Sequence, residues 1–212
     1  MYKKYLKYKK KYLQLKNMKG GNVKTKENSL VIKDNFYSKT DFNKILKYIK
    51  NNNLIHKSDS RVLSRKTICL SNQNKHKELY QLVFNDKLNA LVEKLIGKKF
   101  IKPSFPIEYR IYPEGSTGMG WHQDLALYKN DYYEGVLTLE NTSDCMFEYQ
   151  ENGKTFSLKP KVNTLALVKP NANLHRVTKL NKGFRTILKF VVIFDNNKPN
   201  KEFYKELEKC PN

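Results

Sequence analysis

Four side chains in the second half of the 212-residue chain have types and spacings that could do chemistry: His122, Asp124, His175 and Arg185. In the stretch Trp121-His122-Gln123-Asp124, an imidazole and a carboxylate stand two residues apart. On a β-strand, residues i and i+2 project from the same face, so the two groups would lie side by side. His175 falls on a later predicted strand that a jelly roll brings alongside. Two imidazoles and one carboxylate on one face, with the remaining positions open, are a donor set for Fe(II). Open positions matter because dioxygen and a cosubstrate would both have to reach the metal. Arg185 follows the turn residue Gly183 and opens a strand over 186–193. A buried guanidinium there can grip a carboxylate with two parallel hydrogen bonds.

The triplet alone is a weak signal. With four His and 20 acidic residues, chance supplies a His-x-acid triplet in roughly 0.4 of such chains. His122 as a core histidine with Asp124 as a turn cap is the plain alternative. Arg185 has two rivals, Arg176 and Lys182; strand alternation points Arg176 away from the face of His175, and Lys182 precedes the glycine turn. His56 and His76, the other histidines, sit in polar N-terminal surroundings.

The elements that would position these residues can be read from periodicity. Leu30-Val31-Ile32 and residues 65–70 predict strands. Thr40 can cap a helix carrying Phe42, Ile45, Leu46 and Ile49 at helical spacing, and Asn85 can cap one carrying Leu88, Leu91, Val92 and Leu95, closed by Gly97. After Pro103, eight short strands are predicted over 107–112, 120–124, 135–139, 146–149, 155–158, 164–168, 174–177 and 184–194, with Gly153 and Pro160 marking turns. This pattern predicts a mainly β protein with flanking helices (α+β): a jelly-roll core with N-terminal helices packed outside. The expected layout is a basic leader at 1–26 and one domain at 27–212. That domain comprises a helical preface (27–104), a jelly-roll core (105–194) and a polar C-terminal tail (195–212).

Composition narrows the class further. At 39% apolar and 12% aromatic, the chain is too hydrophobic for a disordered polycation. No apolar run is long enough for a membrane span, and the basic N-terminus lacks the apolar core of a secretory signal. Cys69, Cys145 and Cys210 show neither disulfide parity nor zinc spacing, so the expectation is a soluble, intracellular protein in a reducing compartment. The net charge of +21 is uneven: residues 1–26 carry +10, 27–106 carry +9, 107–190 carry +2 and 191–212 none. Two readings stay open for this charge. It is either a surface for phosphate backbones or the by-product of an AT-rich genome, as 36 Lys against 5 Arg and 23 Asn suggest. The Tyr/Lys leader ending in Gly20-Gly21 is similar to leaders on proteins of giant DNA viruses, for which host cytoplasm or virion would be the location.

The segments Tyr112-Pro-Glu-Gly-Ser-Thr-Gly-Met-Gly-Trp-His122-Gln-Asp124 and His175-Arg-Val-Thr-Lys-Leu-Asn-Lys-Gly183-Phe-Arg185 resemble the Fe(II)/2-oxoglutarate-dependent dioxygenases. The first segment is most similar to prolyl hydroxylases. The resemblance covers about 105–194 and implies that His122, Asp124 and His175 ligate Fe(II) and are the catalytic set. It also implies that Arg185 binds the distal carboxylate of 2-oxoglutarate. Tyr112 matches a tyrosine of the cosubstrate pocket in the prolyl-hydroxylase group; packing in the core is its other reading. The implied cofactors are Fe(II), 2-oxoglutarate and O2, with ascorbate as an accessory reductant, and the implied reaction hydroxylates a C–H bond with release of succinate and CO2.

A protein or peptide substrate is the leading expectation, and no membrane partner is expected. The loop over 125–134, with Tyr128, Asp131, Tyr132, Tyr133 and Glu134, is either a substrate lip or a tyrosine-rich surface loop. Trp121, facing away from the metal by alternation, is expected to pack in the core. The alternatives are an AlkB-like nucleic-acid demethylase, contacting nucleic acid through the basic N-terminal half, and a non-catalytic basic binding module. Against the AlkB reading, the position six residues beyond Arg185, where that group carries a second arginine, is Val191.

Overall fold

Alternation along the longest strands decides the architecture. In a computed structural model of the chain, residues 29–210 are described except 53, 55, 56, 59–61, 72, 98, 102, 195 and 196. The first elements are strand β1 (Leu30–Lys33), helix α1 (Lys39–Asn51), strands β2 (Lys57–Ser58) and β3 (Lys66–Leu70), and helices α2 (Lys77–Val83) and α3 (Asp86–Ile96). There follow β4 (Ile107–Tyr112), β5 (Met119–His122), β6 (Tyr133–Asn141), β7 (Phe147–Glu151) and β8 (Lys154–Leu158). The chain continues through β9 (Leu165–Val168), β10 (His175–Val177), β11 (Arg185–Val192) and helix α4 (Lys201–Leu207). The strands form a seven-stranded sheet in the order β1-β9-β6-β11-β4-β3-β2 and a four-stranded sheet in the order β5-β10-β7-β8, antiparallel throughout. This is the jelly-roll core expected from the strand spacing.

The large sheet has two chemically different faces. On β11, Leu188, Phe190 and Val192 join Ile107, Tyr109, Leu137, Leu165 and Leu167 in a core closed by Ile45, Ile49, Leu79, Val83, Leu88 and Val92 of the helices. Arg185, Ile187 and Lys189 alternate with them and face the other way, toward the small sheet. The helices therefore pack outside, as expected, but the preface is not only helical: β1, β2 and β3 extend the large sheet on both flanks. Gly135 pairs with Phe190 across β6 and β11. A Cβ on Gly135 would lie 2.4 Å from that ring, so glycine is what lets the ring lie flat on the sheet.

Caps refine the predicted helix ends. Ser38, not Thr40, caps α1, accepting from the Asp41 amide at 3.0 Å. Asn85 caps α3 through the Leu88 amide at 3.1 Å, and Gly97 closes it in the left-handed conformation. The leader at 1–26 lies outside the described residues. Among the described helices, none is long and apolar enough to cross a membrane.

The C-terminal segment corrects two expectations. It is not simply a polar tail: Phe203 of α4 is buried against Phe105 and Tyr128, with ring centroids 5.5 and 5.4 Å away. Asn200 caps α4 and also donates through Nδ2 to the Ala126 carbonyl at 2.6 Å, while its amide reaches the Leu127 carbonyl at 3.0 Å. The segment thus pins the loop that follows Asp124. Second, Cys69 on β3 and Cys210 after α4 form a disulfide across 141 residues, leaving Cys145 as a buried free thiol. An odd cysteine count concealed a pair whose partners only the fold brings together. Closing a loop of that length restricts the unfolded chain, so breaking it should cost about 3–5 kcal/mol. We expect Cys210→Ser, and wild type under a thiol reductant, to lose that much in chemical denaturation and to resemble each other. Equal midpoints for oxidised and reduced wild type would contradict this.

Candidate active site

The pairing of β5 with β10 sets His122 directly opposite His175, with a register shift before Val177 and Met119. Both rings enter the space between the sheets, their centroids 4.4 Å apart. Gly118, just before β5, has positive φ, and a Cβ there would meet the Val177 carbonyl oxygen at 2.3 Å. This close approach holds β5 against β10. Each ring is then oriented by a carbonyl: Nδ1 of His122 donates to Gly120 O at 2.7 Å, and Nδ1 of His175 donates to Asn173 O at 3.0 Å. Placing the proton on Nδ1 leaves the Nε2 lone pair of each ring free, as a metal ligand would need.

Both Nε2 atoms face Asp124, which lies just past the end of β5 rather than on the strand. Asp124 Oδ2 is 3.3 Å from His175 Nε2, and Oδ1 is 3.9 Å from His122 Nε2. The three donor atoms all lie within 4.8 Å of one another, close enough to share one cation. One loop supports both sides of the group: the Asn171 amide donates to Asp124 O, and Gln123 Nε2 donates to the carbonyls of Asn171 and Ala172. Among the described residues a second such group is Cys69, Glu108 and Cys210, whose two sulfurs the disulfide engages.

The charges here are set by burial and close neighbours. Burial would raise the Asp124 pKa, but Lys189, His175 and His122 outweigh it and hold the carboxyl far below its ordinary range. Burial lowers His122, in spite of its bond to Gly120, and so favours the neutral imidazole that a metal needs. In His175 burial is outweighed by the bond to Asp124, and the pKa rises. Lys189 stands 3.7 Å from Asp124 and forms an ion pair with Glu134. Burial and Asp124 push Glu134 up to about 7 against the pull of that lysine.

Arg185 opens β11 with 5% of its surface exposed and lines the same cavity as the three donors. Among the described residues its only hydrogen bond is a long one, Nη2 to Thr138 Oγ1 at 3.5 Å, and its Nε has no partner. A buried cation so poorly matched by the protein fits an incoming carboxylate. Tyr112 pairs with Arg185 across β4 and β11 and is buried. Burial would raise its pKa, but Arg110, Arg65 and Arg185 outweigh it and lower it. Arg65, fully buried, donates to the Tyr112 hydroxyl at 3.4 Å. The rivals of Arg185 lie elsewhere: Arg176 stacks over Trp121 at 4.8 Å and pairs with Glu148, and Lys182 is exposed in the turn.

Several residues of this cavity escaped sequence reading. Lys189 and Ile187 follow from Arg185 by simple alternation, and Arg110 shares its face with Tyr112 for the same reason. Arg65 and Thr138 carried no signal, since only sheet register brings them in, and Glu134 was read as part of the 125–134 loop when it lies on β6 inside the cavity. Two expectations fail. Trp121 is 37% exposed under Arg176 and is not core among the described residues: it lies on the outer side of the small sheet. Tyr128, Tyr132 and Tyr133 are buried beside α4 or in the sheet, so they form no substrate lip; Leu125 is the exposed apolar residue of that loop. His76 is engaged by Tyr48, and His56 lies outside the described residues.

No protein-family model and no curated protein sequence matches the chain. Solved structures do. A prolyl hydroxylase from Trichoplax adhaerens, in complex with a hypoxia inducible factor peptide fragment, aligns at TM-score 0.61 and 16% identity, over 84% of this chain and 87% of that one. A 2OG-Fe(II) oxygenase family oxidoreductase from Burkholderia pseudomallei aligns at 0.65 and 14%, over 82% and 88%. HygX from Streptomyces hygroscopicus, solved with nickel, 2-oxoglutarate and hygromycin B, aligns at 0.60 and 9%, over 80% and 84%. What these proteins share with the chain is architecture: it has the jelly-roll fold of the 2-oxoglutarate- and Fe(II)-dependent oxygenases.

Proposed function

We propose that the protein is an Fe(II)- and 2-oxoglutarate-dependent dioxygenase that hydroxylates a C–H bond of a peptide, of the prolyl type. One observation carries this reading: His122, Asp124 and His175 converge in a cavity that also holds a buried, underused Arg185. In this reading His122 Nε2, His175 Nε2 and an Asp124 oxygen hold Fe(II) and leave the remaining positions open. Arg185, with Thr138 and Tyr112 beside it, receives the distal carboxylate of 2-oxoglutarate. The bound iron would supply oxygen activation coupled to oxidative decarboxylation of the cosubstrate, giving succinate, CO2 and a hydroxylated product. The chain's own part is positioning and exclusion of water. Val136, Ala166, Phe147, Leu158 and Ile187 line the cavity with apolar surface, while Asn173 and Gly120 keep each histidine proton off the ligating nitrogen. The proposed unit spans 27–212, with the leader outside it.

A peptide substrate is favoured by what faces the site. Among the described residues the single lysine lining this cavity is Lys189, and it is engaged by Glu134 and Asp124. The solved prolyl hydroxylase with its bound peptide supports the same choice. A nucleic-acid substrate would draw on the +19 carried by residues 1–106.

Three measurements test these statements. Anaerobic titration should show Fe(II) and 2-oxoglutarate binding together, with His122→Ala abolishing both; retained binding in the variant would sink the metal assignment. Arg185→Ala should raise the KM for 2-oxoglutarate by about 10- to 100-fold, the size of a charge-assisted paired contact. Succinate release should be stimulated by proline-containing peptides and not by methylated oligonucleotides. The reverse result would transfer the protein to the demethylase reading.

A further inference from the structure

Register across the small sheet sets four side chains in one row. His122 on β5 lies opposite His175 on β10, His175 opposite Tyr149 on β7, and Tyr149 opposite Phe156 on β8. Residues paired in this way stand on one face of the sheet. The face that presents the two histidines therefore continues outward as two aromatic rings. Tyr149 and Phe156 stack with centroids 5.2 Å apart and planes at 18°. Phe147, one step along the same face, stacks on Tyr149 at 6.0 Å and lies 5.8 Å from the His175 ring. Exposure rises along the row, from buried His175 through half-buried Tyr149 to Phe156, which is 41% exposed. Phe147, Tyr149 and Phe156 thus form one connected aromatic patch that opens progressively to solvent from the histidine pair outward.

The chemistry of the row selects the kind of ligand. Strand β8 is the outer strand of this sheet, and alternation places only Glu151 and Lys154 as further charges on this face of the hairpin. They pair in register with opposite signs, so the surface is aromatic and close to neutral. Nucleobases also stack on such rings, but their phosphates require an excess of cations alongside, which this face lacks. A proline or an aromatic side chain needs no such charge.

We propose that Tyr149 and Phe156 form a substrate subsite that receives a ring-bearing residue of a peptide, proline or aromatic, next to the residue presented to His122, Asp124 and His175. This inference rests on the dioxygenase reading and extends it to substrate selection. The subsite acts in binding, through the open face of Phe156 and the ring of Tyr149 beneath it.

The test uses the full chain loaded with Mn(II) and 2-oxoglutarate, so that no turnover occurs. The probes are a labelled, uncharged peptide with prolines spaced by serine, its counterpart with every proline replaced by alanine, and a labelled oligothymidine. Wild type should bind the proline peptide about 3- to 10-fold more tightly than the alanine peptide, the size of one aromatic contact. Phe156→Ala should erase this difference and Phe156→Trp should retain it. Tyr204→Ala, which removes an exposed aromatic ring on α4, should leave it intact. Equal binding of the two peptides by wild type would overturn the proposal. So would discrimination that survives Phe156→Ala or is lost in Tyr204→Ala, or oligothymidine binding weakened by Phe156→Ala. Failure of wild type to bind Mn(II) and 2-oxoglutarate would instead strike the dioxygenase reading, and separate titration of those two ligands tells the cases apart.

Discussion

The pairing of β5 with β10 is the contact on which the site depends. It fixes His122 opposite His175, and a slip of one residue would turn either ring to the outside of the sheet. Gly118 allows the close backbone approach that holds this register, and the two carbonyl acceptors on Gly120 and Asn173 set the tautomer of each ring. Asp124 then needs only to be brought within reach from the following loop. That loop is held from two directions, by the 171–173 turn through Gln123 and by the C-terminal segment through Asn200. The disulfide between Cys69 and Cys210 ties the end of that segment back to the large sheet.

The large sheet contributes a charged inner face of a kind that soluble cores avoid. Arg110, Glu108, Lys189 and Glu134 are neighbours there with Asp124, and such groups survive burial only when paired. Arg110 pairs with Glu108 at 2.5 Å, and Lys189 serves both Glu134 and Asp124. Among the described residues Arg185 has no carboxylate partner, only one long contact to Thr138, and its Nε, like that of Arg110, has no hydrogen-bond partner. Under the proposed function, the Arg185 guanidinium is the group left to take up the carboxylate of 2-oxoglutarate. The outer face tells the opposite story: apolar side chains under three helices supply the burial that offsets the cost of the polar interior.

Legibility in the sequence followed the range of the interactions concerned. Helices α1 and α3 were readable because their apolar stripes and caps are local; the shift of the first cap from Thr40 to Ser38 is a matter of two residues. Strands β4 and β11 were readable as short runs bounded by turn residues, and Arg185 was readable on the second, while Tyr112 was picked out through the family resemblance alone. Where a side chain's surroundings come from distant segments, the reading failed. Trp121 alternates outward as expected, yet among the described residues it stays exposed beneath Arg176. Tyr132 and Tyr133 looked like surface residues because the helix that buries the first and the strand neighbours that bury the second are far away in the chain. Cys69 and Cys210 meet only after both sheets and α4 are in place.

By itself the sequence determined the fold class, the donor types and their order: His122-x-Asp124, then His175, then Arg185. Strand alternation and metal–ligand chemistry are local rules, and local rules suffice for that much. Tertiary structure decided which rotamer-level details make the set usable. It oriented the Nε2 atoms, drew Asp124 between them, surrounded Tyr112 with three arginines, and extended the histidine row into the Tyr149–Phe156 stack. Those outcomes depend on register between strands that are up to 73 residues apart in the chain, from Tyr112 to Arg185. Register is a property of paired strands and not of any one segment, which is why no single stretch of the sequence contained it.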